Sequence, residues 1–269
     1  TSHTQFGWTT MQDNDKTTTP EQPETFEVVE AEHRTGARHK GVYLLPNLFT
    51  TGALFAGFYA IVAAMNGLFE HAAIGIIVAG ILDGLDGGVA RLTNTQSKFG
   101  AEYDSLSDCV AFGVAPGLVA YSWGLSELGK FGWMAAFIYV ACAALRLARF
   151  NVQAESTDKR FFIGLPSPTG AGLVATLVWL GASRGIDGND ISWIVALVVA
   201  GAGLLMVSSV KYHSFKELHI GRVPFKVLLG VIVAFAIVFL DPPLVLLTVA
   251  IVYVVAGLLM SLWRLRKAD

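Results

Sequence analysis

From Pro46 onward the chain is a succession of apolar runs, each close to the ~17–25 residues that a bilayer-spanning helix requires. Eight such runs stand out, over 46–65, 71–92, 104–124, 133–150, 167–181, 192–210, 224–240 and 243–263, the fifth being the shortest. Short polar breaks separate them, as at Asn66-Gly67, Asp187-Gly188-Asn189-Asp190 and Asp241-Pro242-Pro243. The chain is therefore expected to be an all-α polytopic membrane protein with about eight transmembrane helices. Composition agrees: of 269 residues 54% are hydrophobic and only 15% charged, against about 25% charged in soluble domains. A net charge of -2 also excludes the basic balance of a general nucleic-acid binder.

The charges are unevenly placed. Residues 1–32 hold Asp13, Asp15, Glu21, Glu24, Glu27, Glu30 and Glu32 against Lys16 alone, with many Thr and Gln and little apolar periodicity. Residues 1–40 read as a flexible acidic tail, and 41–269 as the transmembrane domain, which must carry whatever chemistry the chain performs. The tail lacks the basic start and apolar core of a secretory signal, so it is expected to stay in the cytoplasm. With the tail cytoplasmic and eight crossings, 17 of the 19 Lys and Arg fall on that same side, and only Lys130 and Arg184 on the other. The positive-inside rule then puts both termini at the cytoplasm.

Asp83 and Asp86 end the second run, and Asp104 and Asp108 begin the third. A carboxylate inside a span costs several kcal/mol unless paired or hydrated, so all four are expected to face something polar. The i, i+3 and i, i+4 spacings give each pair one helix face, and two antiparallel helices joined by a connection over 92–103 bring the faces together. Divalent cations with hard oxygen ligands relieve the resulting repulsion. Gly84, Gly87, Gly88 and Gly100 bare the backbone to a ligand or to another helix, and Arg91 suits a phosphate. Together these residues describe a phosphate-ester or diphosphate site.

The run from Asp83 to Asp108 reads D-x2-D-G-x2-A-R-x8-G-x3-D-x3-D, with Asp83, Asp86, Gly87, Ala90, Arg91, Gly100, Asp104 and Asp108 at its fixed positions. It resembles the signature of the CDP-alcohol phosphatidyltransferases. The resemblance implies a membrane enzyme that displaces CMP from a CDP-linked lipid with an alcohol, a catalytic core of six of the helices, and a homodimer. It implies Asp83, Asp86 and Asp104 as metal ligands, with Asp108 a further ligand and the general base. The implied cofactor is a divalent metal, Mg2+ or Mn2+, between which oxygen ligands do not choose. It also implies contacts with the CDP-lipid by Asn47, Gly87, Ala90, Arg91, Ser97 and Gly100. Taken alone, Asn47 reads as a helix cap after Pro46.

The acceptor is read from Arg146-Leu-Ala-Arg149-Phe-Asn151, the segment from Phe162 to Gly172, Leu45 to Thr50, and Asp104 to Gly113. These resemble the branch of the family that makes phosphatidylserine from CDP-diacylglycerol and L-serine. In that reading Arg149 pairs with the serine carboxylate, and Asn151 or Glu102 holds its ammonium. Arg146 and Arg149 as mere topology anchors is the competing reading. Glycerol phosphate or inositol phosphate is the alternative acceptor within the family, and a carboxylate-lined cation transporter the alternative outside it. Cys109 and Cys142 lie within spans at no metal-binding spacing and read as buried packing. The expected setting is a prokaryotic cell membrane with the site on the cytoplasmic side.

Overall fold

A computed structural model describes residues 44–93, 97–153, 161–213 and 225–266. The expected tail of residues 1–40 lies outside the described residues, as does most of the basic segment between the sixth and seventh runs. Nine α-helices occur among the described residues: α1 (Leu44–Met65), α2 (Phe69–Thr93), α3 (Lys98–Asp108), α4 (Ala115–Ala120), α5 (Lys130–Gln153), α6 (Ser167–Ser183), α7 (Ser192–Val207), α8 (Phe225–Leu240) and α9 (Pro242–Arg266). All eight expected spans are helical, α3 and α4 being parts of one. The only strands among the described residues are β1 (Phe161–Ile163) and β2 (Lys211–His213), a short antiparallel ribbon.

α3 and α4 are joined by a π-helical turn, Cys109–Val114, and a second one follows at Tyr121–Leu125, so one rod runs from Lys98 to Leu128. Pro116, in the first turn of α4, has no N–H to give to the carbonyl of Phe112. The fully buried Tyr139 of α5 donates its hydroxyl to that oxygen at 3.0 Å. The first π turn starts directly after Asp108. Such turns tend to occur beside functional sites.

Small residues draw the first helices together. Ala53, Ala56, Ala60, Ala63 and Ala64 of α1 and Ala72, Ala73 and Ala79 of α2 are buried. At Gly57 a Cβ would sit 2.8 Å from the backbone of Ala111, and at Gly75 one would sit 3.1 Å from the carbonyl of Ala56. This is the close packing that lipid-embedded helices use in place of a hydrophobic driving force. Large side chains such as Phe55, Phe58, Trp133, Phe137, Trp193, Leu197 and Phe235 point outward instead. On a soluble protein such exposure would be a liability; in a bilayer it is the solvent-facing surface. The protein is an integral membrane protein.

Among the described residues six helical stretches are long and apolar enough to cross a bilayer. α6 and α8, with 17 and 16 residues, fall short of that length. Their neighbours nevertheless show where their ends lie. Leu165, just before α6, donates its N–H to the carbonyl of Leu205 near the end of α7, while Arg184, just after α6, pairs with Asp241 between α8 and α9. α6 thus traverses the bundle at about 26 Å, from a rise of about 1.5 Å per residue. α8 ends beside the same Arg184–Asp241 pair.

Candidate active site

The acidic residues occupy the last turns of α2 and the first turns of α3. On α2, Asp83 and Asp86 continue the stripe of Ala72, Ile76 and Ala79, which is buried against the rest of the bundle. On α3 the helix begins earlier than hydropathy indicates. Ser97 is its N-cap, with φ -122 and ψ 153, and its side chain accepts from the N–H of Gly100 at 2.9 Å. The expected connection over 92–103 is therefore mostly helix, and Asp104 stands nearly two turns inside α3 while Asp108, one turn later, is its last residue. Hydropathy missed this start because the first turns of α3 are amphipathic.

The two helices bring the carboxylates together as the spacing anticipates. Asp83, Asp104 and Asp108 each offer an oxygen within 4.8 Å of the others, and all three are partly buried. Asp86, 5% exposed, is within hydrogen-bonding reach of Asp104, and Asp83 of Asp108. Carboxylates this close need a proton or a cation between them. Four hard oxygen donors converging from two helices fit a divalent cation of the Mg2+ or Mn2+ kind. These residues could hold such an ion.

The glycines around the acids are bare for a reason other than packing. Among the described residues, a Cβ built at Gly84, Gly87 or Gly88 would meet no atom within 4 Å beyond its own helix backbone, whereas those at Gly57 and Gly75 would. The backbone of α2 beside Asp83 and Asp86 is thus open to a ligand. Ala90 and Arg91 follow on the same helix, but their side chains lie outside what the structure describes. From the other side, Gly100 lies against Asn47: a Cβ there would sit 3.0 Å from Ser97 Oγ and 3.4 Å from Asn47 Oδ1. Asn47, Ser97 and Gly100 therefore gather at one place. Asn47 is not a cap, because α1 already runs from Leu44; its carbonyl accepts from Thr51 Oγ1 at 2.7 Å.

Turning about 100° per residue around α3 orders the remaining groups. Gly100, Tyr103 and Ser107 face α1, where Tyr103 meets Thr51 at 2.9 Å between hydroxyls. Asp104 and Asp108 come next. Ser105 follows and faces α5, donating to Asn151 Oδ1 at 3.2 Å and accepting from Asn151 Nδ2 at 3.0 Å. Exposed Glu102 lies beyond Ser105, on the far side from the acids. Asn151 is thus one helix position from the acidic stripe, Glu102 is not, and Arg149 is half-buried two residues before Asn151.

Arg146 is more than a surface anchor. It is 9% exposed, donates from Nη1 to the carbonyl of Met206 at 3.3 Å, and lies within electrostatic reach of Tyr253 on α9. The carbonyl belongs to the last turn of α7, where the helix dipole favours a cation. Cys142 is buried, Cys109 is half-buried, and neither is bonded.

Two contributors escaped the sequence reading, Thr50 and Ser105. Thr50 donates to Asp86 Oδ2 at 2.7 Å. Its signal was a hydroxyl on a stripe otherwise made of Ala53, Gly57, Ala60 and Ala64.

Comparison with known proteins bears on the same residues. Residues 43–207 match the family described as CDP-alcohol phosphatidyltransferase, a stretch that reaches from α1 to α7. A Helicobacter pylori (strain ATCC 700392 / 26695) protein named CDP-diacylglycerol--serine O-phosphatidyltransferase is 38% identical over 227 residues, covering 84% of this chain and 94% of its own length. A Mycobacterium tuberculosis (strain ATCC 25618 / H37Rv) protein of the same name is 38% identical over 196 residues, covering 70% of this chain and 66% of its own. One from Bacillus subtilis (strain 168) is 35% identical over 173 residues, covering 64% and 92%.

Proposed function

The chain belongs to the CDP-alcohol phosphatidyltransferase family, and from that membership we propose that it transfers a phosphatidyl group from CDP-diacylglycerol to the hydroxyl of L-serine, giving phosphatidylserine and CMP. The observation that carries the reading is the meeting of Asp83, Asp104 and Asp108, with Asp86 in hydrogen-bonding reach of Asp104, beside a bare glycine backbone. The relatives named for the serine reaction support the choice of acceptor.

In this proposal Asp83, Asp86, Asp104 and Asp108 hold a divalent cation, Mg2+ or Mn2+. The chemistry such an ion supplies is neutralisation of the diphosphate and of the charge that builds on departing CMP. Asn47, Gly87, Ala90, Arg91, Ser97 and Gly100 bind the CDP-lipid, with the uncovered backbone at Gly87 admitting the nucleotide closely. Asp108 takes the proton from the serine hydroxyl as its oxygen bonds to the lipid-side phosphorus, and the bond from that phosphorus to CMP breaks. Arg149 receives the serine carboxylate and Asn151 its ammonium; Glu102 contributes only if α3 turns or its long side chain reaches past Ser105. The enzyme works as a homodimer in a prokaryotic cell membrane, with both termini and the site on the cytoplasmic side.

A cation transporter fits less well. Asp83 and Asp86 lie past the midpoint of the apolar stretch Phe69–Val89, toward the end of α2 at Thr93. The test is purified protein with CDP-diacylglycerol, a divalent metal and labelled L-serine, glycerol 3-phosphate or inositol phosphate in parallel. CMP release with serine is expected. Release with none of them would sink the enzyme reading, and release only with a phosphorylated acceptor would move the chain to another branch.

A further inference from the structure

Thr50 touches the acid-bearing segments of two helices at once. Its hydroxyl lies 2.7 Å from Asp86 Oδ2 on α2, and its backbone carbonyl accepts from Ser107 Oγ of α3 at 3.1 Å. Ser107 stands between Asp104 and Asp108 in the chain. All three groups are withdrawn from the surroundings: Thr50 is 3% exposed, Asp86 5% and Ser107 1%. The hydroxyl also lies 3.1 Å from the carbonyl of Pro46, one turn earlier. It has one hydrogen to give, and the shorter contact, at a length usual for O–H donation to a carboxylate, takes it. Packing alone does not call for a hydroxyl here, because valine has the same shape and the neighbours along this face of α1 are Ala53, Gly57 and Ala60.

We propose that Thr50 is a positioning residue for the carboxylate cluster: its hydroxyl holds Asp86 Oδ2 and so fixes how that carboxylate is presented to a cation, setting the affinity of the four aspartates for a divalent metal. This rests on the reading of those aspartates as a metal site. Partners that orient a metal ligand from behind typically change metal affinity by about 10–100-fold when removed. Ser107, by holding the Thr50 carbonyl, keeps the α3 acids in register with the same residue.

The test is direct Mn2+ binding to purified full-length protein without substrates, followed by the electron paramagnetic resonance signal of the free ion. Thr50→Val is expected to raise the Mn2+ Kd about 10-fold or more while the metal-free variant keeps the wild-type helical circular dichroism, and Thr50→Ser to restore the affinity. Should the valine variant fail to fold, Thr50→Ala removes the same hydroxyl and carries the same expectation. Equal Kd values for wild type and the hydroxyl-free variant would overturn the proposal and leave Thr50 as helix packing. If the wild type itself takes up no Mn2+, the metal reading of the aspartates fails first, and the role of Thr50 falls with it.

Discussion

At Asp108 two demands meet on one carboxylate. It lies within 4.8 Å of Asp83 and Asp104, close enough to share a cation with them, and the proposed reaction also asks it to accept the serine proton. Asn keeps the shape and one ligand oxygen but loses the base. Asp108→Asn is therefore expected to lower turnover by about 10²–10⁴-fold while CDP-lipid binding persists; Asp86→Asn, which takes the charge from a buried ligand, should lose that binding. Loss of CDP-lipid binding in Asp108→Asn equal to that in Asp86→Asn would make Asp108 chiefly a ligand. For Arg149→Ala the expectation is a raised KM for serine with the CDP-diacylglycerol KM little changed, and an unchanged serine KM would remove it from the acceptor pocket. The acids were legible in the sequence because charge in an apolar run is costly and their spacing is strict. Thr50 was not, because a threonine in an apolar run costs little and only the fold reveals that it meets Asp86, 36 positions away.

The helices sort their glycines into two kinds that sequence alone leaves mixed. Gly57 is a contact: a Cβ there would press on the Ala111 backbone at 2.8 Å. Gly87 is a clearing: among the described residues nothing outside its own helix backbone lies within 4 Å of such a Cβ. The same substitution should thus act oppositely. Gly57→Ala is expected to destabilise by about 1–3 kcal/mol through overpacking. Gly87→Ala should leave stability unchanged or raise it by up to about 1 kcal/mol, since alanine is the better helix former, yet weaken CDP-lipid binding. Thermal melting in detergent beside a CDP-lipid titration checks both, and a fall in stability for Gly87→Ala would return that glycine to packing. Element boundaries were less legible than element number. The start of α3 hid in an amphipathic, serine-capped turn, while α6, marginal by length, was recognisable as a crossing because the runs before and after it require one.

Across the whole molecule, every proposed contributor lies at one end of the bundle. Asn47 and Thr50 begin α1, the acids end α2 and begin α3, and Arg149 and Asn151 end α5. The opposite end carries the Asn66-Gly67 turn and Arg184, one of the two cations expected there, which is neutralised by Asp241. That pairing weakens any pull of Arg184 toward the cytoplasm and adds to the bias expected from the 17 cations that the sequence reading assigns to the other side. The site end is accordingly expected at the cytoplasm. A chain with Cys109 and Cys142 replaced, carrying a single new cysteine at exposed Asn66 or exposed Lys98, can be treated on intact cells with a membrane-impermeant maleimide. Asn66→Cys should label on intact cells, and Lys98→Cys only after permeabilisation. The reverse pattern would invert the protein and move the chemistry to the outer face, away from cytoplasmic CDP-lipid and serine; labelling of both positions on intact cells would break the α2 crossing on which the assembly of the four aspartates depends.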